Sequence, residues 1–136
     1  MKNFKKKQNV ICIIPARGGS KGIKLKNLKK ICGKPLIYYP ISAARKSGVC
    51  DKIIVSTDSA KIATKAKKYG AEVPFLRKKI FSGDRVTTED TLKNALKEAE
   101  IFYKKSFDIC VFLTCTNIFR KAKWIKQAVN VLKKNK

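Results

Sequence analysis

Val10-Ile11-Cys12-Ile13-Ile14 is an unbroken apolar run that empties through Pro15 into Ala16-Arg17-Gly18-Gly19-Ser20-Lys21-Gly22, a loop of three glycines and two cations followed closely by Lys26 and Asn27. A short continuous apolar run of this kind fits a strand buried on both faces of a parallel sheet, so helices must cover either side. The loop behind it has the makeup of a nucleoside triphosphate site. Glycines let backbone N–H groups approach phosphate oxygens, and Arg and Lys neutralise them.

Spacing excludes two familiar phosphate loops. Counted from Gly18, the second glycine of a P-loop would fall at Ile23. No choice among Gly18, Gly19 and Gly22 gives glycines at the first, third and sixth positions of a dinucleotide fingerprint. A plain glycine-rich surface turn is the competing reading. The density of Arg17, Ser20, Lys21, Lys26 and Asn27 argues against it.

Strand and helix patterns alternate along the rest of the chain. Residues 52–56, 72–76 and 108–113 read as further buried strands. Residues 36–46 read as a helix, with Pro35 suited to the first helical position and Pro40 expected to disturb its hydrogen bonds. Residues 59–69 read as a second helix, capped by Asp58 and ended by Gly70. In 88–103, Leu92, Ala95, Leu96, Ala99 and Phe102 recur at three- and four-residue intervals, and 122–134 form a fourth helix. The succession predicts an α/β fold, a doubly wound and mostly parallel sheet with ligands at the carboxyl ends of its strands. Residues 1–8 read as a flexible basic tail and 9–136 as one nucleotide-binding domain.

The net charge of +24 raises the question of a nucleic-acid partner. Only 5 of the 33 basic residues are arginine, however, and the lysines are spread over every segment. Specific nucleic-acid sites lean on Arg for bidentate and stacking contacts, so a Lys-rich solvated surface is the better reading. The five cysteines stand singly and there is no histidine, which argues against a disulfide framework or zinc site and fits a cytoplasmic protein. Ser-His-Asp and Cys-His catalysis are excluded within these residues. No apolar run approaches the ~20 residues that span a bilayer.

Five motifs resemble, in order, those of the acylneuraminate cytidylyltransferases: Pro15 to Gly22, Lys26-Asn27, Gly33-Lys34-Pro35-Leu36-Ile37, Ile54-Val55-Ser56-Thr57-Asp58, and Tyr69-Gly70-Ala71-Glu72-Val73-Pro74-Phe75-Leu76-Arg77. The resemblance implies a Rossmann-like nucleotide-diphospho-sugar transferase fold. It implies transfer of CMP from CTP to a sialic-acid-like nonulosonic acid with release of pyrophosphate. Arg17 and Lys21 would serve the reacting phosphates, and Ala16, Gly18, Gly19, Ser20, Lys26 and Asn27 would hold the nucleotide. Arg77, Val86 and Thr88 would read cytosine, whose exocyclic amine and acceptors suit such groups. Asp84 also matches a family aspartate, with a turn residue as its competing role. Family members are longer, dimerise, and hold Mg²⁺ with aspartates expected beyond residue 136, so the resemblance implies an incomplete domain with no metal ligands of its own.

Thr114, Thr116 and Arg120 fall at the implied acceptor-sugar site. There the family reads Gln-Pro-Thr-Ser-Pro-Leu-Arg and this chain reads Thr114-Cys115-Thr116-Asn117-Ile118-Phe119-Arg120. The loss of the Gln amide leaves the sugar open. Three other readings stand beside this one: a CTP-binding fragment without turnover, a nucleotidyltransferase for another sugar, and a basic polyanion-binding protein.

Overall fold

The computed structural model describes residues 6–19, 23–83 and 85–135. Ser20, Lys21, Gly22 and Asp84 therefore lie outside the described residues, and with them the roles expected of Ser20, Lys21 and Asp84. In chain order the elements are β1 (Val10–Pro15), a hairpin of β2 (Lys30–Ile31) and β3 (Lys34–Pro35), α1 (Tyr38–Ser47), β4 (Lys52–Ser56), α2 (Ala60–Lys68), α3 (Thr88–Tyr103), β5 (Ile109–Phe112) and α4 (Ala122–Lys134).

β1 is the central strand of a parallel sheet ordered β4-β1-β5. It pairs with β4 from Ile11↔Lys52 to Pro15↔Ser56, and with β5 from Val10↔Ile109 to Ile13↔Phe112. Residues 10–14 are all buried, as their unbroken apolarity requires. Their side chains alternate between two layers. Cys12 and Ile14 join Val55, Ile37, Ile41, Ile62 and Ile125 on the face covered by α1, α2 and α4. Ile11, Ile13 and Ile54 meet Ala95 and Ala99 of α3 on the other face. Each fully buried isoleucine contributes about 1.5–3 kcal/mol, so this strand anchors both layers. The chain passes from β1 to β4 on one side and later crosses to β5 on the other, which makes the carboxyl ends of β1 and β5 a topological switch point.

Four local expectations are corrected. Residues 72–76 do not form a strand: only Glu72 pairs, through Val55 N–H to Glu72 O at 3.0 Å and Glu72 N–H to Ile53 O at 2.8 Å, because Pro74 has no N–H to continue the ladder. Pro35 belongs to β3 and not to the start of a helix. Pro40 is the third residue of α1, where the N–H lacks a helical partner in any case, so it disturbs nothing. Ser59, not Asp58, caps α2, accepting from Ile62 N–H at 3.3 Å. The hairpin was not foreseen. Cys32 and Gly33 both adopt positive φ, at 52° and 79°, the pairing a two-residue type I′ turn requires. Among the described residues no helix is long and apolar enough to cross a membrane.

Candidate active site

A cavity of about 350 Å³ opens at the carboxyl ends of the strands. Pro15 reaches it from the end of β1, Arg17, Lys26 and Asn27 from the segment after it, and Arg77, Phe81, Ser82, Gly83 and Val86 from the segment before α3. Thr88 and Thr91 of α3 and Phe112, Thr114, Cys115 and Thr116 of β5 and its loop complete the wall. Three cations and no described carboxylate line it, which is the electrostatics of an anion site.

The loop after β1 is held by hydrogen bonds to its backbone. Ala16 N–H donates to Ser56 O at 2.9 Å, Leu25 N–H to Gly18 O at 3.2 Å, and the buried Asn27 donates from Nδ2 to Arg17 O at 3.2 Å. Ile37 N–H in turn donates to Asn27 O at 3.0 Å, tying the Gly33-Lys34-Pro35-Leu36 hairpin to the site. Gly18 N–H, expected to face phosphate, instead donates to Asp58 Oδ1 at 2.7 Å. A Cβ at Gly18 would stand 3.0 Å from the Ser59 Cβ, so close approach explains this glycine, whereas nothing lies within 4 Å of a Cβ at Gly19.

Arg77 is buried and performs two tasks at once. Its Nε donates to Ser56 Oγ at 3.1 Å and its Nη2 to Ser56 O at 2.6 Å, while its backbone N–H bonds Thr57 O at 2.7 Å. It thereby locks the end of β4 to the segment that lines the cavity. Burial lowers its pKa from the usual guanidinium value; Asp58 opposes that shift and Arg17 adds to it. Such a group gains from an arriving anion.

The expected threonines divide their labour. Thr87 caps α3, accepting from Asp90 N–H at 3.1 Å, which leaves Thr88 to line the cavity. Val86 follows a turn closed by its own N–H to Gly83 O at 3.2 Å. In the loop after β5, Thr114 and Thr116 line the cavity, but Arg120 does not. Its Nη2 grips Thr114 O at 3.1 Å and Thr114 Oγ1 at 3.4 Å, and its Nη1 is buried without a hydrogen-bond partner among the described residues. Ala16 is likewise buried behind the wall. Burial pushes the Cys115 thiol up to about 12, with Arg120 and Lys26 pulling the other way.

Thus Arg17, Lys26, Asn27, Arg77, Val86, Thr88, Thr114 and Thr116 line one cavity, although they span some hundred residues of chain. Phe81, Ser82, Gly83, Thr91, Phe112 and Cys115 were missed. Thr91 alone carried a signal, because it lies one helical turn beyond Thr88. Among the described residues no group of three or more His, Cys, Asp or Glu side chains could hold a metal ion. No described carboxylate lines the cavity, so its described side chains do not by themselves fit Mg²⁺, and no chemical step is assigned through it.

The family model described as Cytidylyltransferase matches residues 11–136. The CMP-N,N'-diacetyllegionaminic acid synthase of Legionella pneumophila is 39% identical over 127 residues, covering 91% of this chain and 53% of that protein. A pseudaminic acid cytidylyltransferase of Campylobacter jejuni is 47% identical over 87 residues, covering 64% of this chain and 38% of that protein. The chain thus spans about half or less of these relatives' length. In three dimensions it is similar to the CMP:2-keto-3-deoxy-manno-octonic acid synthetase complexed with CTP, with a TM-score of 0.75 at 20% identity over 93% of this chain and 48% of that one. That likeness supports the doubly wound nucleotidyltransferase fold. The chain belongs to the cytidylyltransferase family.

Proposed function

We propose that these residues form the nucleotide half of an enzyme that transfers CMP from CTP to a nonulosonic acid. The observation that carries the reading is the switch-point cavity, where Arg17, Lys26, Asn27, Arg77 and Thr88 meet without a described carboxylate among them. The relatives named above, which act in legionaminic and pseudaminic acid chemistry by their names, support the acceptor class. In the reaction an acceptor hydroxyl oxygen bonds to the α-phosphorus and loses its proton. The bond from that phosphorus to the bridging oxygen breaks, and pyrophosphate leaves with the bonding pair. Charge grows on the leaving oxygens, so Arg17 and Lys21 lower the barrier by favouring the transition state over bound CTP.

Lys26 and Asn27 would hold the phosphates and ribose, with the Gly19 and Ser20 backbone completing the cradle. Arg77, Val86 and Thr88 would read cytosine, whose replacement by uracil or a purine would leave polar groups unpaired. Thr114 and Thr116 would meet the acceptor, and Arg120 would set the shape of their loop. Mg²⁺ accompanies the triphosphate in this reading, held by carboxylates outside the described set. The cytoplasm is the proposed compartment, in keeping with five free cysteines. A second reading is CTP binding without turnover.

Calorimetry with CTP and UTP, followed by pyrophosphate release with Mg²⁺ and a panel of nonulosonic acids, separates the readings. CTP-selective binding with release identifies the enzyme and its sugar, and binding without release selects the second reading. Arg17→Ala is expected to abolish CTP binding while Lys30→Ala, on the exposed hairpin, leaves it intact. Equal effects would refute the phosphate site.

A further inference from the structure

One hydroxyl in the cavity wall has already committed its proton. Thr91 is buried in the part of the wall that α3 supplies, one helical turn beyond Thr88. Its Oγ1 lies 3.2 Å from Thr87 O, and its own N–H reaches the same carbonyl at 3.1 Å. A carbonyl oxygen cannot donate, so the hydroxyl gives its proton to the helix. What Thr91 Oγ1 keeps for a ligand is lone pairs alone.

The cavity is charged on one side only. Arg17 and Lys26 enter from the segment after β1, and Arg77 engages Ser56 at the end of β4 through Nε and Nη2. The residues added by α3, β5 and the loop after β5 are threonines, Phe112 and Cys115, whose thiol burial holds neutral. A triphosphate belongs beside the cations, which leaves a nucleobase the uncharged wall where Thr91 and Phe112 stand. There an acceptor with no proton to give tells the two pyrimidines apart. Cytosine presents an exocyclic amine, a donor, where uracil presents a carbonyl oxygen, a second acceptor. Facing Thr91, the first pairs and the second does not, and burial raises the cost of the mismatch.

We propose that Thr91 is a specificity-determining residue, its hydroxyl oxygen accepting from the exocyclic amine of a cytosine base and disfavouring uracil. This rests on the reading of the cavity as a CTP site. No bond forms or breaks at Thr91, so its effect falls on the choice of nucleotide.

Calorimetric titration of the protein with CTP and with UTP tests it, and the parent is expected to prefer CTP. Thr91→Val, close in shape but without the oxygen, is expected to weaken CTP binding about tenfold and to leave UTP within about twofold. Thr91→Ala, which cannot crowd the wall, should repeat that result. Thr91→Ser restores the hydroxyl and should restore the preference. A loss shared equally by CTP and UTP would make Thr91 a structural support of α3 and overturn the proposal. So would a preference undiminished in Thr91→Val and Thr91→Ala, or one lost in Thr91→Ser, with the CTP site itself left standing. A parent chain that binds no CTP, or binds UTP as tightly, would overturn the reading of the cavity and this proposal together.

Discussion

Arg77→Ala tests whether the buried guanidinium holds the site together or only faces the nucleotide. The side chain makes two hydrogen bonds to Ser56, at 3.1 and 2.6 Å. Bonds to a charged donor contribute about 1.5–3 kcal/mol each, which sets a gross loss of roughly 3–6 kcal/mol. Two structural facts reduce it. Ser56 O keeps its bond from Ala16 N–H at 2.9 Å, and removing a buried cation relieves its own desolvation. The net expectation is about 2–3 kcal/mol. With a urea m-value of about 1.5 kcal/mol per molar, the denaturation midpoint should fall by roughly 1.3–2 M. Arg77→Lys keeps the charge but not the fork, and should lose about half as much. Urea denaturation followed by circular dichroism, with CTP calorimetry on each folded variant, gives both readouts. A midpoint within about 0.3 M of the parent for Arg77→Ala, beside a complete loss of CTP binding, would refute the clamp and leave a pure ligand contact.

Further outcomes follow from the same geometry. Gly18→Ala should cost about 1–2 kcal/mol in urea denaturation, because its Cβ would meet Ser59 at 3.0 Å, while Gly19→Ala in open space should be near neutral. Burial works against ionisation of Asp51, but the Val10 N–H at 2.7 Å and Lys7 outweigh it and hold its pKa below the usual carboxylate value. Its contribution is therefore present above the unfolded value and lost as pH falls through the lower folded one, so the acid limb of a pH–stability curve should flatten in Asp51→Asn. With its pKa near 12, Cys115 should resist a thiol reagent at pH 8 in the native protein and react in urea, whereas exposed Cys32 should react at once; mass spectrometry of labelled peptides distinguishes them.

Much of the fold was legible because the relevant signals are local. The apolar run of β1, the three- and four-residue spacing in α3 and the glycine after α2 each report the environment of a single element. Where prediction failed, a tertiary partner or an end effect decided. Glu72 pairs and Pro74 stops the ladder, Ser59 takes the cap because Asp58 is drawn across to Gly18, and Pro40 is harmless only because α1 starts two residues before it.

The site divides in the same way. Many of the residues that share the cavity were legible from residue type and motif order, since they fall in loops expected at the carboxyl ends of the strands. Position within the site was not. Arg120 grips Thr114 and does not line the cavity, while Phe112, which reads as part of a buried strand, does line it. Sequence by itself determined the alternation of buried strands and helices and pointed to the family, because these depend on periodicity and on motifs in order. Only the tertiary structure decided which N–H groups are already engaged and which cation is a clamp, because these depend on contacts between segments far apart in the chain.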